Sequence, residues 1–417
     1  MHDAPSAPLP PSGADALALS VDPTLLADAR ALAPELVAVR RDLHRHPELG
    51  FAELRTAGIA AQAMETLGFS VRTGVARTGV VADLVIPGDG PTVALRADMD
   101  ALPIHEENDH DFTSTVPGRM HACGHDAHVA GLLGAARLLA ARAKAGALPP
   151  GRVRFLFQPS EEGMDAEGKS GGRRMVEEGA MAGVDAVVGL HVGAHVRAGT
   201  VLLDPGPFFA GADNIEIEIH GKSAHAARPH QGIDAILLAA HGITLAQQAV
   251  ARGIAPDAAG VVSLGTIRGG TARNIICDRV EIQGTLRYFD PAVRHALRTR
   301  VAEAFQSLEG MGARVVVRFV DGYPPVRNDP AVTTRVRGVA AALLGAGALE
   351  TLPPTMGAED FSFLAQEAPG AYLWLGAALP DAREHHHPRF DIDESVLPLG
   401  AAILAGSAMN LLSTPLR

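Results

Sequence analysis

The chain has 417 residues, of which 47% are apolar and 20% charged, and its formal net charge is −11. Such a length exceeds one ordinary hydrophobic core, so two structural units are expected. The acidic balance argues against nucleic acid or an anionic membrane as partner, and no segment reads as long and apolar enough to span a bilayer. Met1 to Ser20 lacks a basic stretch followed by an apolar one, so it is not read as a signal peptide. Its Pro-rich composition suggests a disordered lead-in. Leu25 to Leu43 is amphipathic, and Glu53 to Leu67 has a helical period that stops at Gly68, a natural residue beyond a helix end. Val80–Ile86, Thr92–Leu95, Val153–Phe157 and Ala186–Leu190 are short strand-like runs, with an apolar helix at Val129–Ala140 between the second and third. Strands alternating with helices predict an α/β sandwich with a largely parallel or mixed sheet.

The middle of the chain changes character. From Ala212 to Gly221, Ile215, Ile217 and Ile219 alternate with Glu216, Glu218 and His220, the period of a half-exposed strand. A helix at Ile233–Ala251, strands at Val261–Ile267 and Val280–Phe289, a helix at Ala292–Leu308 and a strand at Ala313–Val320 follow. The order β-α-β-β-α-β is the ferredoxin-like pattern. Residues 205–323 are therefore expected to form a small inserted α+β domain, with 21–204 and 324–417 making the α/β domain. The latter resumes with a helix at Val332–Leu344, a strand at Tyr372–Leu375 and a helix at Val396–Leu412.

The chemistry concentrates in one stretch, Met120-His-Ala-Cys-Gly-His-Asp-Ala-His128. Cys123 and His125 flank Gly124, where the backbone turns tightly enough to aim both side chains at one point. A thiolate with an imidazole suits zinc and similar transition ions. Other polar groups follow strands: Asp98 and Asp100 after Thr92–Leu95, Glu161 and Glu162 after Val153–Phe157, and His191 after Ala186–Leu190. Open α/β sheets gather ligands beyond the carboxyl ends of their strands, so these groups are expected in one crevice with Cys123 and His125. Adjacent glutamates point in different directions, which lets one bind metal while the other stays free as a base. A further cluster, Glu384-His-His-His-Pro-Arg-Phe390, offers another ligand. The two cysteines, Cys123 and Cys277, stand far apart and build no disulfide framework, which fits a reducing, cytoplasmic setting.

Taken together these motifs resemble metallopeptidase family M20, in its amidohydrolase branch of hippurate hydrolases, N-acyl-amino-acid deacylases and auxin-conjugate hydrolases. The resemblance runs from about Leu36 to the end. It is carried by Arg40-Arg-Asp-Leu-His-Arg-His-Pro-Glu-Leu-Gly-Phe51, Leu95-Arg-Ala-Asp-Met-Asp-Ala-Leu-Pro103, the Cys/His stretch, Gln158-Pro-Ser-Glu-Glu-Gly163 and Gly189-Leu-His191. Gly221-Lys-Ser-Ala-His225, Arg273-Asn-Ile-Ile276, Gly284-Thr-Leu-Arg287, Gly357-Ala-Glu-Asp-Phe361 and His386-His-Pro388 continue it.

The resemblance implies a zinc-exopeptidase-type catalytic domain interrupted by a lid domain through which two subunits pair. It implies two divalent ions, zinc, manganese, cobalt or nickel, held by Cys123 as the bridge and by His125, Glu162, His191 and His386. His385 and His387 stay open as alternatives to His386. Glu161 matches the general base, and Asp98 and Asp100 match residues that stand behind the ligands and orient them. His225 matches a histidine that stabilises the reaction oxyanion, typically from the partner subunit. Asn274 and Arg287 match substrate-binding residues, the guanidinium taking an α-carboxylate. Cys277 stands where many relatives have proline, a departure expected to alter a lid turn. The implied reaction splits an N-acyl amino acid into a carboxylic acid and a free amino acid. A dipeptidase, a carboxypeptidase or an N-acetyl-diaminopimelate deacetylase is the alternative within the family, and a metal-containing binding protein the alternative of another class.

Overall fold

The computed structural model describes residues 21–381 and 383–413, so the reading of residues 1–20 as a disordered lead-in lies outside the described residues. An eight-stranded mixed sheet organises the larger part. Its order is Ser70–Val75, Gly79–Ile86, Gly151–Gln158, Thr92–Asp98, Ala186–Arg197, Gly370–Ala378, Val201–Leu202 and Leu349–Glu350. The four central strands, from Gly151–Gln158 to Gly370–Ala378, run parallel. Both faces of this sheet are covered, as parallel strands require. Val93 and Leu95 enter one core while Ala94 enters the other, and Val188 and Val187 divide in the same way. Helices Ala33–Arg45, His125–Lys144 and Leu397–Ser413 pack on the first face, and Gly171–Glu177 and Phe361–Glu367 on the second.

A second, four-stranded antiparallel sheet has the order Gly260–Gly269, Arg279–Tyr288, Gly211–His220, Arg314–Asp321. Helices Ala235–Ala246 and Pro291–Gln306 lie on it, and Ile215, Ile217 and Ile219 point into a separate core with Leu297, Val301 and Phe305. Asp234 caps the first of these helices through its carboxylate, which accepts from the amides of Ile236 and Leu237 at 3.0 and 3.2 Å. Two chain crossings connect the sheets. They run side by side as the antiparallel strands Gly206–Phe209 and Val326–Asn328, and Phe208, Phe209 and Val326 pack into the core of the large sheet.

Several sequence expectations need adjusting. The helix expected over Leu25–Leu43 is two, Leu25–Ala31 and Ala33–Arg45, because Pro34 cannot donate a backbone hydrogen bond and breaks the run at Leu32. The apolar helix at Val129–Ala140 begins earlier, at His125, so that His125 sits in its first turn. The strand expected to end at Leu190 runs on to Arg197, where pairing with Gly370–Ala378 extends it, and His191 lies inside it opposite Trp374. Among the described residues one helix, Glu394–Ser413, is long and apolar enough to cross a membrane by length and composition, contrary to the reading of the sequence. Burial explains it: 78% of that stretch lies inside the molecule, and the helix packs on His125–Lys144 in the core.

Candidate metal centre

The parallel strands deliver their polar groups to one cleft of about 510 Å³, lined among others by Cys123, Glu161, Glu162, His191 and His386. The local backbone is bent to do so. Gly124 has φ of 91°, and a side-chain carbon placed there would lie 2.4 Å from Val192 Cγ2, so only glycine fits between Cys123 and His125. Ser160 and His386, both non-glycine, have φ of 43° and 62° and stand beside Glu161 and at the histidine run. Such conformations each cost about 1–3 kcal/mol and persist where the surroundings impose them. The Ser160 amide is tied to the Glu53 carboxylate at 2.8 Å and the His386 amide to the Ala122 carbonyl at 2.8 Å.

Hydrogen bonds fix which ring nitrogen each histidine presents. His125 Nδ1 lies 2.9 Å from the Asp100 carbonyl, an acceptor, so that nitrogen donates; Nε2 is buried with no hydrogen-bond partner among the described residues. His191 Nδ1 likewise donates to the Val192 carbonyl at 2.8 Å, leaving the lone pair of Nε2 3.4 Å from Cys123 Sγ. His386 Nε2 approaches Glu162 Oε1 at 2.9 Å. Ligand atoms of Cys123, His125 and His191 fall within 4.8 Å of one another, and so do those of Cys123, Glu162 and His386. The two groups share Cys123.

His128 and His385 lie close by but are engaged differently. His128 Nδ1 lies 2.5 Å from Asp98 Oδ1, and its Nε2 accepts the Val192 amide at 2.9 Å, so both nitrogens are used. His385 Nε2 accepts the Ala194 amide at 3.1 Å, and its Nδ1 lies 3.8 Å from Cys123 Sγ. His387 is exposed and caps its own turn, Nδ1 accepting the Arg389 amide at 3.1 Å.

The electrostatics call for cations. Burial, with the Glu162 and Glu161 charges, pushes the Cys123 thiol well up. Burial, reinforced by Glu359, Glu162 and Asp360, pushes the Glu161 carboxyl well up. Burial pulls His191 well down, whereas Asp98 and Asp100 overcome burial at His125 and lift it to about 10. Removing the like charges or adding a cation is what lets such a set ionise together. A thiol, imidazole nitrogens and a carboxylate form a donor set that fits borderline-soft divalent ions.

Behind the cleft lies a layer that the motifs contained but whose role spacing alone did not reveal. Arg96, fully buried, donates to Asp98 at 2.5 Å, to Glu359 and Asp360 at 2.9 Å each, and to Gln158 at 2.9 Å. It thereby ties the carboxylate behind His128 to the carboxylates beside Glu161. Tyr323, at the return crossing, donates its hydroxyl to the Glu161 carbonyl at 2.6 Å. On the other side Asp126 accepts from Arg40 and bonds His44 at 2.8 Å, pinning the helix that starts at His125. The signal for Glu359, Asp360 and Arg96 was their place inside quoted motifs; for Tyr323 there was none.

Of the remaining residues expected at the site, Arg287 lines the cleft from the small sheet. His225 and Asn274 do not line it. They sit on an exposed ribbon, Ala224–His225 paired with Ile275–Ile276, with His225 Nδ1 accepting the Ala227 amide at 3.0 Å. Cys277 follows this ribbon, buried, its sulfur accepting the Gly270 amide at 3.1 Å.

Comparison with known proteins accords with this geometry. The profile of "Peptidase family M20/M25/M40" matches residues 94–410. An N-acetyl-L-cysteine deacetylase of Bacillus subtilis is 38% identical over 92% of this chain and 89% of its own length. A thermostable carboxypeptidase of Saccharolobus solfataricus is 40% identical over 92% of this chain and 98% of its own. A crystal structure from Bacillus subtilis, described as a dinuclear metal-binding peptidase of the M20 family, superposes with a TM-score of 0.80 at 34% identity, covering 92% of this chain and 99% of that one.

Proposed function

The chain belongs to peptidase family M20/M25/M40, and from that premise we propose that it hydrolyses N-acyl amino acids with two divalent ions held by Cys123, His125, Glu162, His191 and His386. It is a metal-dependent amidohydrolase, as its relatives are hydrolases, deacetylases and carboxypeptidases. The observation that carries the substrate reading is Arg287 lining the same cleft as Cys123, Glu161 and Glu162: a guanidinium with no carboxylate partner among the described residues, set to grip the α-carboxylate of an amino acid.

Bound ions would supply Lewis acidity and acidify an attacking water. Every other step falls to side chains. Asp100 orients His125, and Asp98, through His128 and the Val192 amide, steadies the strand that carries His191. Glu161 takes the proton of the attacking water as the amide carbonyl becomes tetrahedral, then delivers it to the leaving amine nitrogen. His225, exposed and with Nε2 unpartnered among the described residues, reaches the oxyanion from a second subunit paired through the small sheet, which also serves as the lid; Asn274 travels with it on the same ribbon. A carboxypeptidase relative at 40% identity favours a second reading, peptide cleavage, which needs the same carboxylate grip.

The test separates the two neighbouring glutamates. Metal-loaded protein should hydrolyse members of an N-acyl amino acid series faster than dipeptides, and chelation should abolish turnover. Glu161→Gln should keep its metal and lose about 10²–10⁴ in rate, whereas Glu162→Ala should lose metal and activity together. Swapped metal contents would exchange the two roles, and normal turnover by Glu161→Gln would refute the mechanism.

A further inference from the structure

We infer that the chain holds a further cation site, outside the cleft, in which His44, Glu106 and His110 bind one zinc or similar transition ion. His44 lies in the last turn of the helix Ala33–Arg45. Glu106 and His110 lie in the long connection between the strand Thr92–Asp98 and the helix His125–Lys144. None of the three lines the cleft. Their ligand atoms all fall within 4.8 Å of one another. His44 Nε2 at 3.1 Å and His110 Nε2 at 3.4 Å approach the same oxygen, Glu106 Oε1. Tetrahedral zinc with bonds of about 2.0–2.1 Å holds neighbouring donor atoms about 3.3–3.4 Å apart.

The positions of the protons decide between an ion and an ordinary hydrogen bond. His44 Nδ1 lies 2.8 Å from Asp126 Oδ2, a carboxylate oxygen that Arg40 also holds, so Nδ1 carries a proton. Nε2 and Glu106 Oε1 then meet as two lone pairs unless a positive charge lies between them. A second proton on His44 would serve that pair alone and leave His110 out. The Thr113 hydroxyl has one proton and gives it to the His110 carbonyl at 2.7 Å, so His110 Nδ1, 3.2 Å from the same hydroxyl, is a donor. The lone pair of His110 therefore sits on Nε2, which is shielded from solvent with no hydrogen-bond partner among the described residues. One divalent ion satisfies all three donors at once, which a proton cannot.

The three side chains are also held as ligands are. Asp126 behind His44 is the kind of carboxylate that orients a ligating imidazole. Glu106 Oε2 accepts the Ser114 amide at 2.7 Å, and Oε1 accepts the Asn108 side-chain amide at 2.9 Å. The His110 ring stacks on Phe112, centroids 3.6 Å apart and planes 10° apart. Arg40 does not supply the positive charge, being matched by Asp126, Asp391 and Glu394. An ion here would tie the connecting loop to the helix Ala33–Arg45.

The experiment counts zinc and locates it. Full-length wild type, His110→Ala and Glu106→Gln are saturated with zinc alone, freed of excess by gel filtration and analysed for metal per chain. Wild-type crystals from the same preparation are measured on both sides of the zinc absorption edge. Each variant should carry one zinc fewer than wild type, and an anomalous peak should stand between His44, Glu106 and His110. The difference is read whatever the cleft holds, so it does not depend on the amidohydrolase reading. No peak between these residues would overturn the inference and leave a proton between His44 and Glu106. Equal zinc in wild type and His110→Ala would overturn it as well, by placing the ions elsewhere. Glu106→Gln, close in shape to the native side chain, carries the count should His110→Ala not fold.

Discussion

Glu53 shows how a single side chain outside the ligand set shapes the centre. It is buried at the start of helix Leu54–Thr66, accepts the Thr78 hydroxyl at 2.5 Å and the Ser160 amide at 2.8 Å, and so anchors the strained residue before Glu161. Burial, aided by the Asp100 charge, raises its carboxyl from 4.5 to about 7. A carboxyl whose folded value lies above its unfolded value stabilises fully below the unfolded value and loses that contribution as pH rises through the folded one. Between pH 4.5 and 7, then, Glu53 should subtract up to about 1.4 kcal/mol of stability per pH unit. Gln mimics the protonated acid, one amide oxygen for Ser160 and one N–H for Thr78. Denaturant melts from pH 4.5 to 8 should show Glu53→Gln gaining on wild type as pH rises. A constant difference between the two proteins across that range would show that Glu53 does not titrate there.

At the scale of elements, the helix His125–Lys144 is placed by its first residues more than by its apolar face. Almost every side chain of its first five turns is buried, so no amphipathic stripe could orient it. The Arg40–Asp126–His44 network and the left-handed turn at Gly124 do so instead. Gly124→Ala would add a carbon 2.4 Å from Val192, the residue whose carbonyl sets the His191 tautomer, at a φ that disfavours any side chain. The expected cost is about 1–3 kcal/mol, seen as a lower melting temperature. Sub-stoichiometric metal should accompany it, since Cys123 and His125 both shift. Full metal occupancy with an unchanged melting temperature would show that the turn is not what aims the ligands.

At the scale of the molecule, the cleft is closed by parts far apart in sequence, and His225 with Asn274 stands outside it. If His225 serves the neighbouring subunit, two inactive variants should rescue each other. Glu161→Gln lacks the base and His225→Ala lacks the oxyanion donor. Refolded together they should form mixed dimers with one complete site, restoring about a quarter of wild-type activity for random two-fold pairing. No recovery from mixtures that demonstrably exchange subunits would place His225 outside the reaction. Lid motion would use the crossings. Of the three glycines there, Gly206 has φ of 94° and open space around it, whereas a carbon on Gly211 would strike Tyr288 at 2.6 Å and one on Gly322 the Ala212 carbonyl at 2.3 Å. Gly206 is therefore the one of the three where an added side chain would meet no neighbour.

The central strands and main helices of the large sheet, the ferredoxin-like pattern and the convergence of Cys123, His125, Glu161, Glu162 and His191 were legible in the sequence, whereas the outer strands Ser70–Val75, Val201–Leu202 and Leu349–Glu350 and the helices Gly171–Glu177 and Phe361–Glu367 were not. Periodicity marks which faces must be buried, and parallel strands present their following residues at one edge. The alternating isoleucines of 215–219 even showed which side of their strand faces the core. What tertiary structure decided was orientation. The His-x-Pro spacing favoured His386 only by resemblance and left His385 and His387 open; what sets His386 beside Glu162 is a left-handed backbone at His386 and a hydrogen bond from the Ala194 amide that engages His385. Nor could the sequence show that Arg96 joins Asp98 to Glu359 and Asp360 across some 260 residues, or that Tyr323 reaches Glu161 from the far crossing. Local pattern encodes which residues are buried; the partners a buried charge finds are set by which distant strands the fold lays side by side.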